Sequence, residues 1–197
     1  MINKLKRDFA GWTRWLHIYL SMLSFAALLF FAVTGITLNH TEWIEGKQKT
    51  ENFEGDLPRD WVNVSREKVE DLKIVEHFRH NFSIRSPLSD FTTDETECVL
   101  SFKGPGYNAD GFIDRSTGHF ELSVTKYGWV AIVNDLHKGR DSGKAWAWLI
   151  DISALLMILV SVTGFMMIFY LKKRRMDGII VALMGTLVLF MLYCLFV

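Results

Sequence analysis

The sequence has few cysteines and lacks the short motifs that mark many soluble enzymes. Only two cysteines occur in 197 residues, Cys98 and Cys194. Two are too few for a disulfide framework, and neither stands near histidines at a zinc-like spacing, so we expect two buried thiols. There is no phosphate-binding glycine loop, nucleophile elbow or two-histidine zinc helix. The formal net charge is zero, which gives no reason to expect a nucleic-acid partner.

Three apolar segments are long enough to span a bilayer. A transmembrane helix needs roughly 20 apolar residues, and the segments 15–39, 145–171 and 179–197 satisfy this condition. Residues 40–126 are too charged to enter lipid, and residues 127–144 lead into the second apolar segment. The first segment is too long for a signal peptide and has no clear small-x-small cleavage site, so we expect an uncleaved anchor.

The distribution of positive charge predicts the orientation, because Lys and Arg near short flanks are retained in the cytoplasm. Basic residues cluster in 1–14 and in the loop 172–178, which begins KKRR. Residues 40–144 hold 14 Lys and Arg against 19 Asp and Glu. We therefore expect the N-terminus inside, with the soluble domain and the C-terminus outside, in a bacterial inner (cytoplasmic) membrane.

The inserted domain shows both helical and strand-like periodicity. Residues 65–81 begin with a good N-cap, Ser65, and carry apolar side chains at helical spacing. Alternating segments follow near Glu97, Asp110 and His119, separated by turns. The overall prediction is an α-helical integral membrane protein with three transmembrane helices and an inserted small α+β extracytoplasmic domain.

A short helix is predicted to lie in the membrane interface just before the second span. From Tyr127, the residues Trp129, Ile132 and Leu136 fall on one side of a helical period, and amphipathic segments with Trp and Tyr favour that depth. His137 falls on or beside this apolar side. The stretch NDLHKGRDSGKAWAWLID, which contains it, then enters the second span.

Several of these residues resemble the PepSY-associated transmembrane family. The resemblance rests on Arg14, His17 and Gly35, on DRSTGHF in the inserted domain, and on LHKGR leading into an apolar span that contains VTGF. It implies that the inserted domain is a PepSY domain. Some members of that family are ferric-siderophore reductases that carry haem b between their transmembrane helices and donate electrons outside the cytoplasmic membrane, and the chain looks like a shorter, three-span relative of them.

His137 and His40 are the first candidates for haem ligands. Axial ligation needs two imidazoles from different elements at a common depth. His40 ends the first span and His137 precedes the second, on the same side of the membrane. On an ideal helix, however, His40 lies well away from the stripe that contains His17, so the sequence leaves open whether His40 turns toward His137.

Two more ionisable residues lie within the apolar segments, where such groups usually face a protein interior or a functional path. His17 shares a stripe with Ser21, Ser24 and Gly35, which suits close helix packing. It is either a ligand for a second haem, completed by a second copy, a non-histidine ligand or a partner subunit, or a hydrogen-bonded packing residue. Asp151 is either a carboxylate that orients an imidazole ring or an interfacial group solvated by lipid headgroups.

Two functions of different classes follow from these features. The first is a membrane-embedded b-haem protein that acts as a ferric reductase-type oxidoreductase. It passes electrons to ferric iron, a ferric siderophore or a periplasmic redox protein, and it could form a homodimer. The second is a non-catalytic anchor whose PepSY domain binds a periplasmic protein or peptide. A transporter is weaker, because three spans with few polar groups offer little pathway.

Overall fold

The architecture was obtained as a computed structural model, which describes residues 2–40, 42, 48–62 and 69–197, with side chains from residue 7 onward. Three long helices are apolar enough to cross a membrane: α1 (Ile2–Asn39), α5 (Gly143–Ile168) and α6 (Arg175–Phe196). Their apolar windows are almost entirely exposed, between 0% and 11% buried. Side chains of this kind are stable when they contact lipid, which supports a membrane protein.

The helix α1 is longer than the apolar segment predicted for it. It begins at Ile2 rather than near Trp15, because the preceding charged residues continue the helical backbone without an interruption. Its less exposed residues form a stripe at helical spacing that includes Thr13, His17, Ser24 and Thr34. The stripe predicted from His17, Ser21 and Ser24 is therefore present.

A five-stranded antiparallel sheet forms the centre of the inserted domain. Its strands are β1 (Lys49–Asp56), β2 (Leu88–Thr93), β3 (Glu97–Gly104), β4 (Tyr107–Asp114) and β5 (His119–Lys126). The spatial order is β1-β5-β4-β3-β2. The three predicted strand segments correspond to β3, β4 and β5, whereas β1 and β2 were not predicted. Both missed strands lie at the edges of the sheet, where one side of a strand is unpaired and the burial alternation is weak.

Helices cover one face of this sheet. They are α2 (Arg59–Val62) and α3 (Asp71–Asn81). The predicted N-cap Ser65 lies outside the described residues. The helix α3 buries Ile74, Val75 and Phe78 against the inward side chains of β3, β4 and β5. Helix and antiparallel sheet together give the small α+β domain that the sequence predicts.

Phe78 lies at the centre of this core. Its side chain is fully buried, and its ring packs edge-on against Phe120 with the centroids 4.9 Å apart. A Cβ at Gly111 of β4 would lie 2.9 Å from the Leu100 side chain of the neighbouring strand and 3.5 Å from the Phe78 ring, an ordinary contact distance. The side chain of Leu100, rather than the helix, therefore limits the size of the residue at this position of β4.

The DRSTG part of the DRSTGHF motif forms the turn between β4 and β5. The Asp114 carboxylate accepts hydrogen bonds from the backbone and hydroxyl of Ser116, and the hydrogen bond from the Ser116 hydroxyl is the largest cause of the lowered pKa of Asp114. The buried Arg115 donates from Nε to the Val62 carbonyl at 2.9 Å. Gly118 has a φ of +81° and lies against the Leu57 carbonyl. This motif therefore stabilises the domain.

The two cysteines differ in their surroundings. Cys98 is a buried free thiol in β3, where burial raises its pKa. Cys194 is exposed on α6, so the prediction that both thiols are buried is wrong for this residue. The reason is that α6 buries none of its residues in the described chain.

We predict that Phe78→Ala destabilises the sheet domain strongly. The substitution leaves a cavity in a fully buried core, and such changes cost about 3 to 5 kcal/mol. Leu72→Ala is the matched control, because Leu72 lies on the same helix but is 73% exposed and its loss should change the free energy of unfolding by less than about 0.5 kcal/mol. Denaturant unfolding of the detergent-solubilised protein measures both values. Equal effects of the two substitutions would contradict this core.

Candidate functional site

The imidazole of His137 lies against a threonine and a glycine of α1. His137 belongs to α4 (Trp129–Lys138), and its Nδ1 is 2.5 Å from the hydroxyl oxygen of Thr34. The ring also packs edge-on against Phe31, with the centroids 5.1 Å apart. A Cβ at Gly35 would lie 3.9 Å from Cε1 of the ring. We call His137, Thr34, Phe31 and Gly35 the His137 site.

The end of α4 fixes the position of His137. Gly139 adopts the left-handed conformation with a φ of +70°, and the backbone N–H of Arg140 donates to the Asp135 carbonyl at 2.9 Å. This is the usual glycine-terminated helix end. The indole N–H of Trp146 donates to the Leu136 carbonyl at 2.7 Å. The LHKGR stretch thus stops the helix immediately after the histidine.

Buried hydrogen bonds join α4 to α1 one turn away from His137. The Thr37 hydroxyl donates to Oδ1 of Asn134 at 2.5 Å, and Nδ2 of Asn134 donates to the Thr37 carbonyl at 3.4 Å. Asn134 is only 4% exposed. The pair holds α4 in a fixed rotation, which directs His137 toward Thr34.

The sheet domain holds the other side of α4 through the turn between β3 and β4. The backbone N–H of Gly106 donates to the Asp135 carboxylate at 2.9 Å, and the Tyr127 N–H donates to the Gly106 carbonyl at 2.9 Å. Gly106 has a φ of +66°, and a Cβ there would lie 2.4 Å from Ile132. Only glycine fits this close contact. The turn between β3 and β4, residues 103–106, thus attaches α4 to the sheet.

His17 has surroundings of the same kind, built from α1 and α5. Its Nδ1 is 3.0 Å from the hydroxyl oxygen of Thr163, and a Cβ at Gly164 would lie 3.1 Å from its Cε1. We call His17, Thr163 and Gly164 the His17 site. In each site a histidine ring therefore lies against the threonine and glycine of a Val-Thr-Gly sequence, at 33–35 or 162–164.

The hydrogen bonds of Thr163 determine the tautomer of His17. The Thr163 hydroxyl donates to the Leu159 carbonyl at 2.7 Å, a common bond for threonine within a helix. A hydroxyl has one proton, so the oxygen accepts from Nδ1–H of His17. The other ring nitrogen, Nε2, then carries a lone pair, and it makes no hydrogen bond to the described part of the chain.

His137 contacts its threonine more closely. The Thr34 hydroxyl oxygen lies 2.5 Å from Nδ1 of His137 and 3.4 Å from the Phe31 carbonyl, and the tautomer of the ring decides which group donates in the shorter contact. No hydrogen bond within the described ranges reaches Nε2 of His137. A metal-ligating histidine usually has this arrangement, with one ring N–H donated to a neighbouring acceptor and the other nitrogen free to bind.

A comparison with protein families agrees with this arrangement of spans and domain. The family model described as PepSY_TM-like matches residues 11–197. The chain belongs to the PepSY_TM-like family. No curated protein and no solved structure matches it.

The other two predicted site residues of this PepSY_TM-like protein, His40 and Asp151, belong to neither the His137 site nor the His17 site. His40 follows the last residue of α1, and its Nδ1 is 2.8 Å from the Glu42 carboxylate. Asp151 is exposed on α5. Pairing of His40 with His137, and orientation of an imidazole by Asp151, both stay predictions, whereas threonine hydroxyls contact the rings of His17 and His137.

The histidines of the sheet domain have separate surroundings. His77 is half-buried, and its ring packs edge-on against Trp61 and Phe120. Burial lowers the pKa of His77. His119 is exposed and pairs with Asp56 at 3.1 Å. No group of three or more His, Cys, Asp or Glu in the described ranges forms a metal site, but a haem needs only one or two protein ligands.

Sequence reasoning missed Thr34 and Thr163, although a signal for them was present. The tripeptide Val-Thr-Gly occurs at the end of the first span and again inside the second. On α4, the apolar side predicted to lie in the interface carries Trp129 and Ile132, which are 69% and 37% exposed. The helix buries Val130, Ala131 and Asn134 instead, and hydrogen bonds from Asn134 hold this other side against α1.

We predict that Asn134→Ala loosens α4. The substitution leaves the Thr37 carbonyl without its amide partner and removes an acceptor of the Thr37 hydroxyl, which costs about 1 to 3 kcal/mol for buried groups. Amide hydrogen exchange of peptides from α4 should become faster. Asn39→Ala is the control, since Asn39 is exposed on α1 and its removal should leave the exchange of α4 unchanged. Unchanged exchange in Asn134→Ala would disprove the docking of α4 through this residue.

Proposed function

We propose that the chain is a membrane-embedded b-haem protein that passes electrons to an extracytoplasmic acceptor, with ferric iron or a ferric siderophore as the acceptor class. His137 and His17 are its principal ligands. The observation that carries the proposal is the repeated arrangement in which Nδ1 of each ring lies within hydrogen-bond distance of a threonine hydroxyl, while no hydrogen bond in the described part of the chain reaches Nε2. Bound haem supplies one-electron redox chemistry at a position within the membrane.

The surroundings of the two rings suit this role. Threonine fixes the tautomer and the ring orientation, and a hydrogen bond at Nδ1 raises the basicity of Nε2. The glycines let each ring lie close to a helix backbone, since a side chain at Gly164 would contact His17. A polar nitrogen inside a span is also costly unless it finds a partner, and a metal ligand bond would satisfy Nε2.

The second axial ligand differs between the two sites in this proposal. His40 is the candidate at the His137 site, because it follows the end of the helix that carries Thr34. At the His17 site the ligand comes from His17 of a second copy, which implies a homodimer. The sheet domain, placed in the periplasm, holds α4 and thereby His137, and it presents the acceptor side to the solvent.

The direct test is a visible spectrum of the protein purified after expression with added haem precursor. We expect a b-type Soret band and an α band on reduction. His137→Ala and His17→Ala should each remove part of the bound haem, whereas His80→Ala, an exposed histidine of α3, should leave the spectrum unchanged. A protein without b-type bands after haem supplementation would refute the proposal and favour the anchor that binds a periplasmic partner.

Two further variants separate ligation from folding. Thr34→Val keeps the shape of the side chain but removes the acceptor for Nδ1, and loss of such a partner lowers metal affinity about 10 to 100-fold. Thr34→Ser keeps the hydroxyl and should retain haem. His40→Ala should change the same spectral component as His137→Ala if the two rings share one iron. A monomer that holds the full haem content would exclude the shared site at His17.

A further inference from the structure

A cleft of about 590 Å³ opens between the β3–β4 turn and the end of α4. Its lining includes Leu38 near the end of α1, Tyr127 before α4, and Lys138 and Arg140 just ahead of α5. The helices α1 and α5 contain two of the candidate membrane spans. Residues close in sequence to the ends of these spans therefore line the cleft, where lipid headgroups are expected, and its volume suits a small-molecule ligand.

Three cationic side chains line the cleft without carboxylate partners. They are Lys103, Lys138 and Arg140, and none of them makes an ion pair within the part of the chain that the structure describes. Of the two acidic residues in the lining, Asp135 already accepts the Gly106 N–H. The cleft thus offers cationic donors for an anion.

Asn108 also lines this cleft. Its Nδ2 donates to the Asp110 carboxylate at 2.5 Å, whereas its Oδ1 is buried away from solvent. A group in the cleft does not reach this oxygen, so the three cations are the groups available to a ligand.

We propose that this cleft binds the headgroup of a phospholipid. The phosphate lies against Lys103, Lys138 and Arg140. The acyl chains leave the cleft on the side of Leu38. Because Lys138 directly follows His137, the bound lipid fastens the end of α4 and so stabilises the His137 site.

The experiment is a lipid titration of the full-length protein, stripped of lipid in detergent and observed by native mass spectrometry. Dioleoyl phosphatidylglycerol and phosphatidylethanolamine should each be retained at one equivalent. The double substitution Lys138→Gln and Arg140→Gln should weaken retention about tenfold or more, as expected for two cations near a phosphate. Arg85→Gln is the control, because Arg85 is exposed and does not line the cleft. Equal retention by the double variant and the control would overturn the site.

A further comparison identifies the source of the headgroup. Displacement of the lipid by an equal concentration of inorganic phosphate would overturn the lipid source and assign the cleft to a soluble anion. Circular dichroism of each variant checks that the fold is retained.

Discussion

A histidine within or beside a membrane span needs a hydrogen-bond partner from the protein, and this requirement shapes the surroundings of His17 and His137. Hydrocarbon offers no hydrogen bond, so the partner has to come from the chain. A threonine hydroxyl lies next to Nδ1 of the ring in both places. If Nδ1 carries the proton, the lone pair of each ring is left at Nε2.

The sheet domain helps to hold His137 in this position. His137 contacts Thr34 only when α4 has a particular rotation about its axis and ends directly after the histidine. Asn134 sets the rotation through Thr37, and the β3–β4 turn holds the helix through Gly106 and Asp135. A domain with its own core, centred on Phe78, can therefore control the position of a residue at the membrane surface.

The sequence was sufficient for the three apolar helices, the central strands and the choice of His17 and His137 as candidates. Each of these rests on a local signal, either a long apolar segment or an alternation of burial. The partners of the two rings were not predictable in this way, since Thr34 is 103 residues from His137 and Thr163 is 146 residues from His17. Such pairs depend on how the helices meet, which periodicity within one helix does not specify. The edge strand β1 was missed because its exposed residues give little alternation.

The most direct test of the account is the nitrogen NMR spectrum of the protein labelled with ¹⁵N-histidine, with His17→Gln and His137→Gln used to assign the two rings. The chemical shifts of ring nitrogens report which of them carries the proton. The account predicts that both rings are neutral and protonated at Nδ1, with an unprotonated Nε2 whose resonance shifts when haem is added. A proton on Nε2 of either ring, or haem binding that leaves both Nε2 resonances unchanged, would contradict it.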